Sequence, residues 1–294
     1  MLELRESPSM RDDPTPHAAG SGQSEPRFAT PAPPAHALTE TLLNKVPQIT
    51  LAFWAIKIMA TTVGETAADF LIFNVGLGLI KTSLIMGALL IAVLMFQLKL
   101  RRYVPISYWL VVVFVSIVGT LVSDYMADDL GISLVTTTVV FALGLAITFG
   151  AWYASERTLS IHSIFTRKRE LFYWAAILFT FALGTSAGDL VAEQFGLGYG
   201  VSALIFGVSI AAVHLAFRFG ADAVLTFWIA YILTRPFGAS MGDLLSQPTG
   251  NGGLGLGTTG TSVLFLGVIA ALVGYLTITG KDRIDDPRSA KSGI

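Results

Sequence analysis

Lys57, Thr61, Glu65 and Asp69 stand four residues apart, so on a helix they form one continuous row of side chains. A cation, a hydroxyl and two acids in one row have the chemistry to bind and exchange small ions or protons. The row belongs to a repeating frame. Trp54 is followed by Gly64 ten residues on and by Asp69 five further, and the same spacing returns as Trp109, Gly119, Asp124, as Trp174, Gly184, Asp189, and as Trp228, Gly238, Asp243. Each Asp is followed seven residues later by Gly, at 76, 131, 196 and 250, and four of the five tryptophans fall on the frame. The chain is therefore a fourfold internal repeat.

The elements that position these residues must sit in a bilayer. With 53% hydrophobic residues, 13% charged residues and a mean hydropathy of +0.66, the 294-residue chain is too apolar for a water-soluble protein. The net charge of −1 and the lack of basic, aromatic-laced runs give no support to a nucleic-acid partner. With no Cys and only four His, no thiolate chemistry and no zinc site of the His/Cys kind is expected, and no cofactor is implied. Neither Ser/His nor Cys/His pairing falls at membrane depth, so an enzyme is not expected.

Residues 1–44 are rich in Pro, Ala, Ser, Thr and charge and are expected to form a disordered tail; they lack the apolar core of a secretory signal. From there, eight apolar segments of about twenty residues follow, at 47–72, 79–98, 104–126, 133–154, 171–192, 199–217, 223–245 and 258–279. At ~1.5 Å per residue each can cross ~30 Å of hydrocarbon. The predicted fold is all-α and polytopic, with eight transmembrane helices in a membrane domain over 45–280 and a short tail over 281–294. Four parallel two-helix units occupy about 45–101, 102–158, 168–219 and 222–280, each a Trp-to-Asp helix with a plainer partner in a hairpin. Lys and Arg concentrate between units (Lys99, Arg101, Arg102, Arg157, Arg167 to Arg169, Arg218), with only Lys81 within one, which predicts cytoplasmic termini and Asp ends on the far side of an inner membrane.

The run over residues 45–69, K-V-P-Q-I-T-x-x-F-W-x-I-K-I-x-x-T-T-x-G-E-x-x-x-D, with its three degenerate copies, resembles the bacterial multi-pass membrane-protein family built from four tandem two-helix repeats with a signature Trp. The resemblance covers about residues 45–280. It implies an architecture and carries no established activity.

Fifteen residues of helix place each Asp ~22 Å from its Trp, within the outer third of the membrane. The other copies of the row read Val112, Ser116, Thr120, Asp124; Ile177, Phe181, Thr185, Asp189; and Tyr231, Arg235, Ala239, Asp243. Of nineteen Lys and Arg, only Lys57 and Arg235 fall deep in a span, so one of them is expected to pair with Glu65, Asp69 or Asp243 across the first and fourth signature helices. Pro236 is expected to kink or break its helix, and the glycine-rich stretch 246–257 to form a flexible lid or re-entrant turn. The tryptophans are expected as interface anchors.

Two readings of the four Asp stand side by side. In one they end helices, cap amides and maintain the repeat. In the other Glu65, Asp69, Asp124, Asp189 and Asp243 hold a small cation, including a divalent metal, with Thr61 nearby, Glu65 coupled to protons, and Lys57 and Arg235 as counter-charges when the site is empty. The functional expectation is a secondary transporter or exporter of a small cation. The alternatives are transport of a small organic anion on Lys57 and Arg235, or a membrane scaffold or sensor partner. Beyond the lipid bilayer and a small ion or small-molecule substrate, nothing in the sequence opposes assembly into a homo-oligomer.

Overall fold

A computed structural model describes residues 44–282. The expected N-terminal tail, apart from Asn44, and residues 283–294 of the C-terminal tail lie outside the described residues. Within them the chain forms eight long helices and no strand: α1 (Leu51–Asp69), α2 (Leu79–Lys99), α3 (Pro105–Asp124), α4 (Leu134–Glu156), α5 (Arg167–Asp189), α6 (Gly198–Arg218), α7 (Ala223–Ser246) and α8 (Gly257–Thr279). Helix starts follow from local chemistry. The side chains of Thr50, Ser133, Thr166 and Asp222 accept hydrogen bonds from first-turn amides, and Pro105 opens α3.

The chain is an all-α polytopic membrane protein. Six of the helices, α2, α3, α4, α5, α6 and α8, are long and apolar enough to cross a membrane by length and composition. The other two expected spans, α1 and α7, fall short of that measure because they carry Lys57, Glu65 and Asp69, and Arg235 and Asp243. Their place in the assembly explains how this is tolerated. The four signature helices α1, α3, α5 and α7 form a closed ring, each touching the next and α7 touching α1. Polar side chains on α1 and α7 therefore meet protein instead of lipid.

The even-numbered helices form the outer layer, with large apolar residues exposed on each, among them Leu84, Ile147, Leu204 and Val263. Their packing departs from the simple hairpin. α2 packs on α3, α4 on α5, α6 on α7, and α8 returns to α1, so each second helix lies chiefly against the signature helix of the following unit. The last unit thereby closes on the first. Each repeat leaves one face for its successor to cover, which ties the four into one cooperative body.

Two further expectations change. α7 runs unbroken through Pro236. The carbonyls before the proline gain donors from α1: Lys57 Nζ donates to Tyr231 O at 2.9 Å and Thr61 Oγ1 to Thr234 O at 3.3 Å. The stretch 246–257 is a structured turn, not a free lid. Its amides at Leu254, Gly255 and Leu256 donate to the carbonyls of Leu244, Gln247 and Leu245, satisfying the orphan end of α7.

Candidate functional site

The repeat frame resolves into layers stacked along the axis of the four-helix ring. At one end each aromatic residue preceding a signature Trp packs on the Trp of the next helix: Phe53 on Trp109, Tyr108 on Trp174, Tyr173 on Trp228 and Phe227 on Trp54, with centroids 5.4 to 6.2 Å apart. Trp109, Trp174 and Trp228 are buried, so these residues seal the ring instead of anchoring it in the lipid interface as expected. The pairing F-W or Y-W in all four copies was visible in the sequence and is the signal that would have revealed it.

The row at Trp-plus-three, -seven and -eleven follows, turned inward on all four helices and buried throughout. Among the described residues Lys57 has no carboxylate partner. Its ammonium donates to Thr234 Oγ1 at 2.5 Å and lies 4.1 Å from the centroid of the Tyr231 ring. Arg235 reaches across the axis, where Nη1 donates to Thr61 O at 3.2 Å and Nη2 meets Glu65 Oε2 at 3.2 Å, Thr185 Oγ1 at 2.7 Å and Thr120 Oγ1. One guanidinium thus joins all four signature helices. The expected ion pair across α1 and α7 is the Glu65–Arg235 bridge, and Lys57 stands outside it.

Beyond this layer the ring opens into a cavity of about 580 Å³, floored by Glu65 and lined by Asp69, Asp124, Asp189 and Asp243. Asp128, Asp129 and Glu193 also line it, and among the described residues no Lys or Arg does. The four signature helices run parallel, since their Trp ends meet at the aromatic seal and their Asp ends share this cavity. The Asp side chains do not cap helices. In the first three units the Asp opens a π-helical turn (Phe70–Asn74, Tyr125–Asp129, Leu190–Gln194) without a side-chain capping bond, and none of the four carboxylates accepts a hydrogen bond among the described residues. Bulged turns of this type recur at functional sites.

The expectation that Glu65, Asp69, Asp124, Asp189 and Asp243 ligate a metal directly is not met in this conformation. Among the described residues no three His, Asp or Glu come together closely enough to hold one. The reason is geometric: the acids stand on four separate helices around a wide cavity.

A family model for a repeat of unknown function, DUF347, matches at residues 52–103, 107–158, 172–219 and 226–282, more than half of the chain. The chain belongs to the DUF347 repeat family. No curated protein and no solved structure matches it. The four DUF347 matches coincide with the units set by the Trp, Gly and Asp frame, and the geometry says what that frame does. The register glycine of each repeat meets the Trp-plus-seven residue of the next: Gly64 on Ser116, Gly119 on Phe181, Gly184 on Arg235 and Gly238 on Thr61. In Gly119→Ala the added Cβ would lie 2.6 Å from Phe181 Cβ and 3.1 Å from the Ala182 nitrogen. This variant is expected to lose about 1–3 kcal/mol in equilibrium unfolding. Gly87→Ala, which meets open space on α2, is expected to lose none.

A second buried polar cluster ties the DUF347 repeats together at the sealed end. Lys45 Nζ bridges Glu170 Oε2 at 2.6 Å, Gln97 Nε2 donates to Glu170 Oε1 at 3.3 Å, and Ser107 Oγ donates to Gln97 Oε1 at 2.6 Å. Spacing gave no warning of it, because its four members come from four different segments.

Proposed function

We propose that the chain is a membrane transporter of a small cation, bound with its hydration water in the carboxylate cup and exchanged against protons. One observation carries this reading: a one-sided cavity inside a membrane protein, lined among the described residues by acids and by no cation. Acids that face a common cavity repel one another, and a bound cation or protons relieve that repulsion. Arg235 is the counter-charge of the empty site, a tethered cation below the floor that a transported ion would compete with for Glu65. The cup opens toward the Asp ends and is closed toward the Trp ends by the Arg235 layer and the aromatic seal, as one state of an alternating-access cycle requires.

The bias of Lys and Arg toward the Trp ends supports an inner-membrane orientation with that end cytoplasmic. An organic anion is poorly served, because Lys57 and Arg235 are fully buried and turned to hydroxyls, carbonyls and Glu65. The test is flux in proteoliposomes against a panel of monovalent cations, divalent cations and small carboxylates. Cation flux accompanied by counter-movement of protons is expected. Flux of anions alone would overturn the reading.

A further inference from the structure

A second cavity, of about 290 Å³, lies at the end of the molecule opposite the cup, between the C-terminus of α2, the α2–α3 connection and the start of α5. Four of its lining residues are cations, Lys45, Lys99, Arg101 and Arg167, and none of the described lining residues is acidic. Lys45 is buried and already neutralised by Glu170. The other three are exposed and hold no ion pair among the described residues. Arg167 is also the first residue of α5, where the helix dipole adds positive potential.

Three unpaired cations around one apolar-floored pocket repel one another unless an anion joins them. Arginine forks match phosphate oxygens in particular. The pocket also sits where membrane-facing surface begins: one turn away on the same helices, Met95 and Leu171 are more than half exposed. A ligand that fits both features has an anionic phosphate head and apolar chains. We propose that this pocket binds the headgroup phosphate of an anionic phospholipid, held by Lys99, Arg101 and Arg167. Basic pockets between helix ends recognise lipid headgroups by this chemistry in other membrane proteins.

The test uses the full chain, purified from mixed micelles of phosphatidylglycerol and phosphatidylcholine, with retained lipid read by native mass spectrometry. Wild type is expected to retain phosphatidylglycerol selectively. Each cation that holds the headgroup in the pocket contributes about fivefold, so the triple variant Lys99→Ala, Arg101→Ala, Arg167→Ala should lose selectivity on the order of a hundredfold. Arg102→Ala with Lys168→Ala removes two exposed cations outside the pocket and should retain most of it. If the triple variant fails to fold, Arg101→Ala alone gives the same comparison at about fivefold. The proposal is overturned by absent selectivity in wild type, by unchanged selectivity in the pocket variants, or by an equal loss in the control. Displacement of the lipid by inorganic phosphate at matched concentration would also overturn it, marking a free-anion site.

Discussion

Arg235→Ala is expected to destabilise the folded chain by about 3–5 kcal/mol, because it leaves the Glu65 carboxylate at the floor of the cup without its partner. The guanidinium is fully buried and its donors end on groups from α1, α3 and α5, so its removal also unties the centre of the ring. Arg235→Lys should rescue little, since one ammonium cannot reproduce a fork that spans three helices. Lys57→Met should cost less than Arg235→Ala, because what it leaves behind is a hydroxyl and a carbonyl, with no opposed charge. Equilibrium unfolding in detergent or nanodiscs measures each. The sharpest comparison is the double variant Arg235→Ala, Glu65→Ala, whose cost should fall below the sum of the singles by about 0.5–3 kcal/mol. Simple additivity would mean that the bridge contributes nothing.

Neutralising the walls of the cup should act on binding and leave the fold in place. Asp124 and Asp189 are half-buried, face the cavity and accept no hydrogen bond among the described residues, so replacement by Asn breaks no contact. In the proposed cation pathway, however, the double variant Asp124→Asn, Asp189→Asn removes part of the field that concentrates cations at the mouth. Clefts lined by one sign of charge raise association rates by about 10–10³-fold, and the double variant should lose a comparable factor at low ionic strength. The difference should shrink as salt rises and screening shortens the reach of the remaining acids. Stopped-flow measurement of cation association over a salt series checks both the loss and its convergence. Equal rates at low salt would remove the electrostatic role of the cup.

Much of the architecture was legible in the sequence because a repeat exposes its own geometry. The Trp-to-Asp spacing set the units, and stepping by four from Lys57 selected the side chains that line the ring axis. What stayed hidden depends on how helices meet. That α2 packs on α3 instead of on α1 cannot follow from hydropathy, since an apolar helix reads alike whichever neighbour covers it. Pro236 suggested a broken helix, whereas α7 stays continuous with its flanking carbonyls at Tyr231 and Thr234 bonded to Lys57 and Thr61, on a helix more than 170 residues away in sequence. The glycine at Trp-plus-ten was readable as a packing residue, yet its partner at Trp-plus-seven of the next repeat appears only once the ring is closed. The separation of the five acids across four helices was likewise invisible, and it turns an expected metal-ligand set into the lining of a wide cup.

The departures from the frame carry most of the chemistry. Where the first copy has Glu65, the others have Thr120, Thr185 and Ala239, and where the last has Arg235, the others have Thr61, Ser116 and Phe181. Closure of the ring brings these first and last exceptions face to face, so an assembly of near-equivalent repeats acquires one asymmetric charged centre. In the proposed function this centre and the cup above it form a cation pathway. Its most direct test is cation flux through the purified full chain in proteoliposomes, comparing wild type with Glu65→Gln and Asp69→Asn. The flux of wild type is expected to be lost in Glu65→Gln and strongly reduced in Asp69→Asn; unchanged flux in both would exclude the carboxylate pathway.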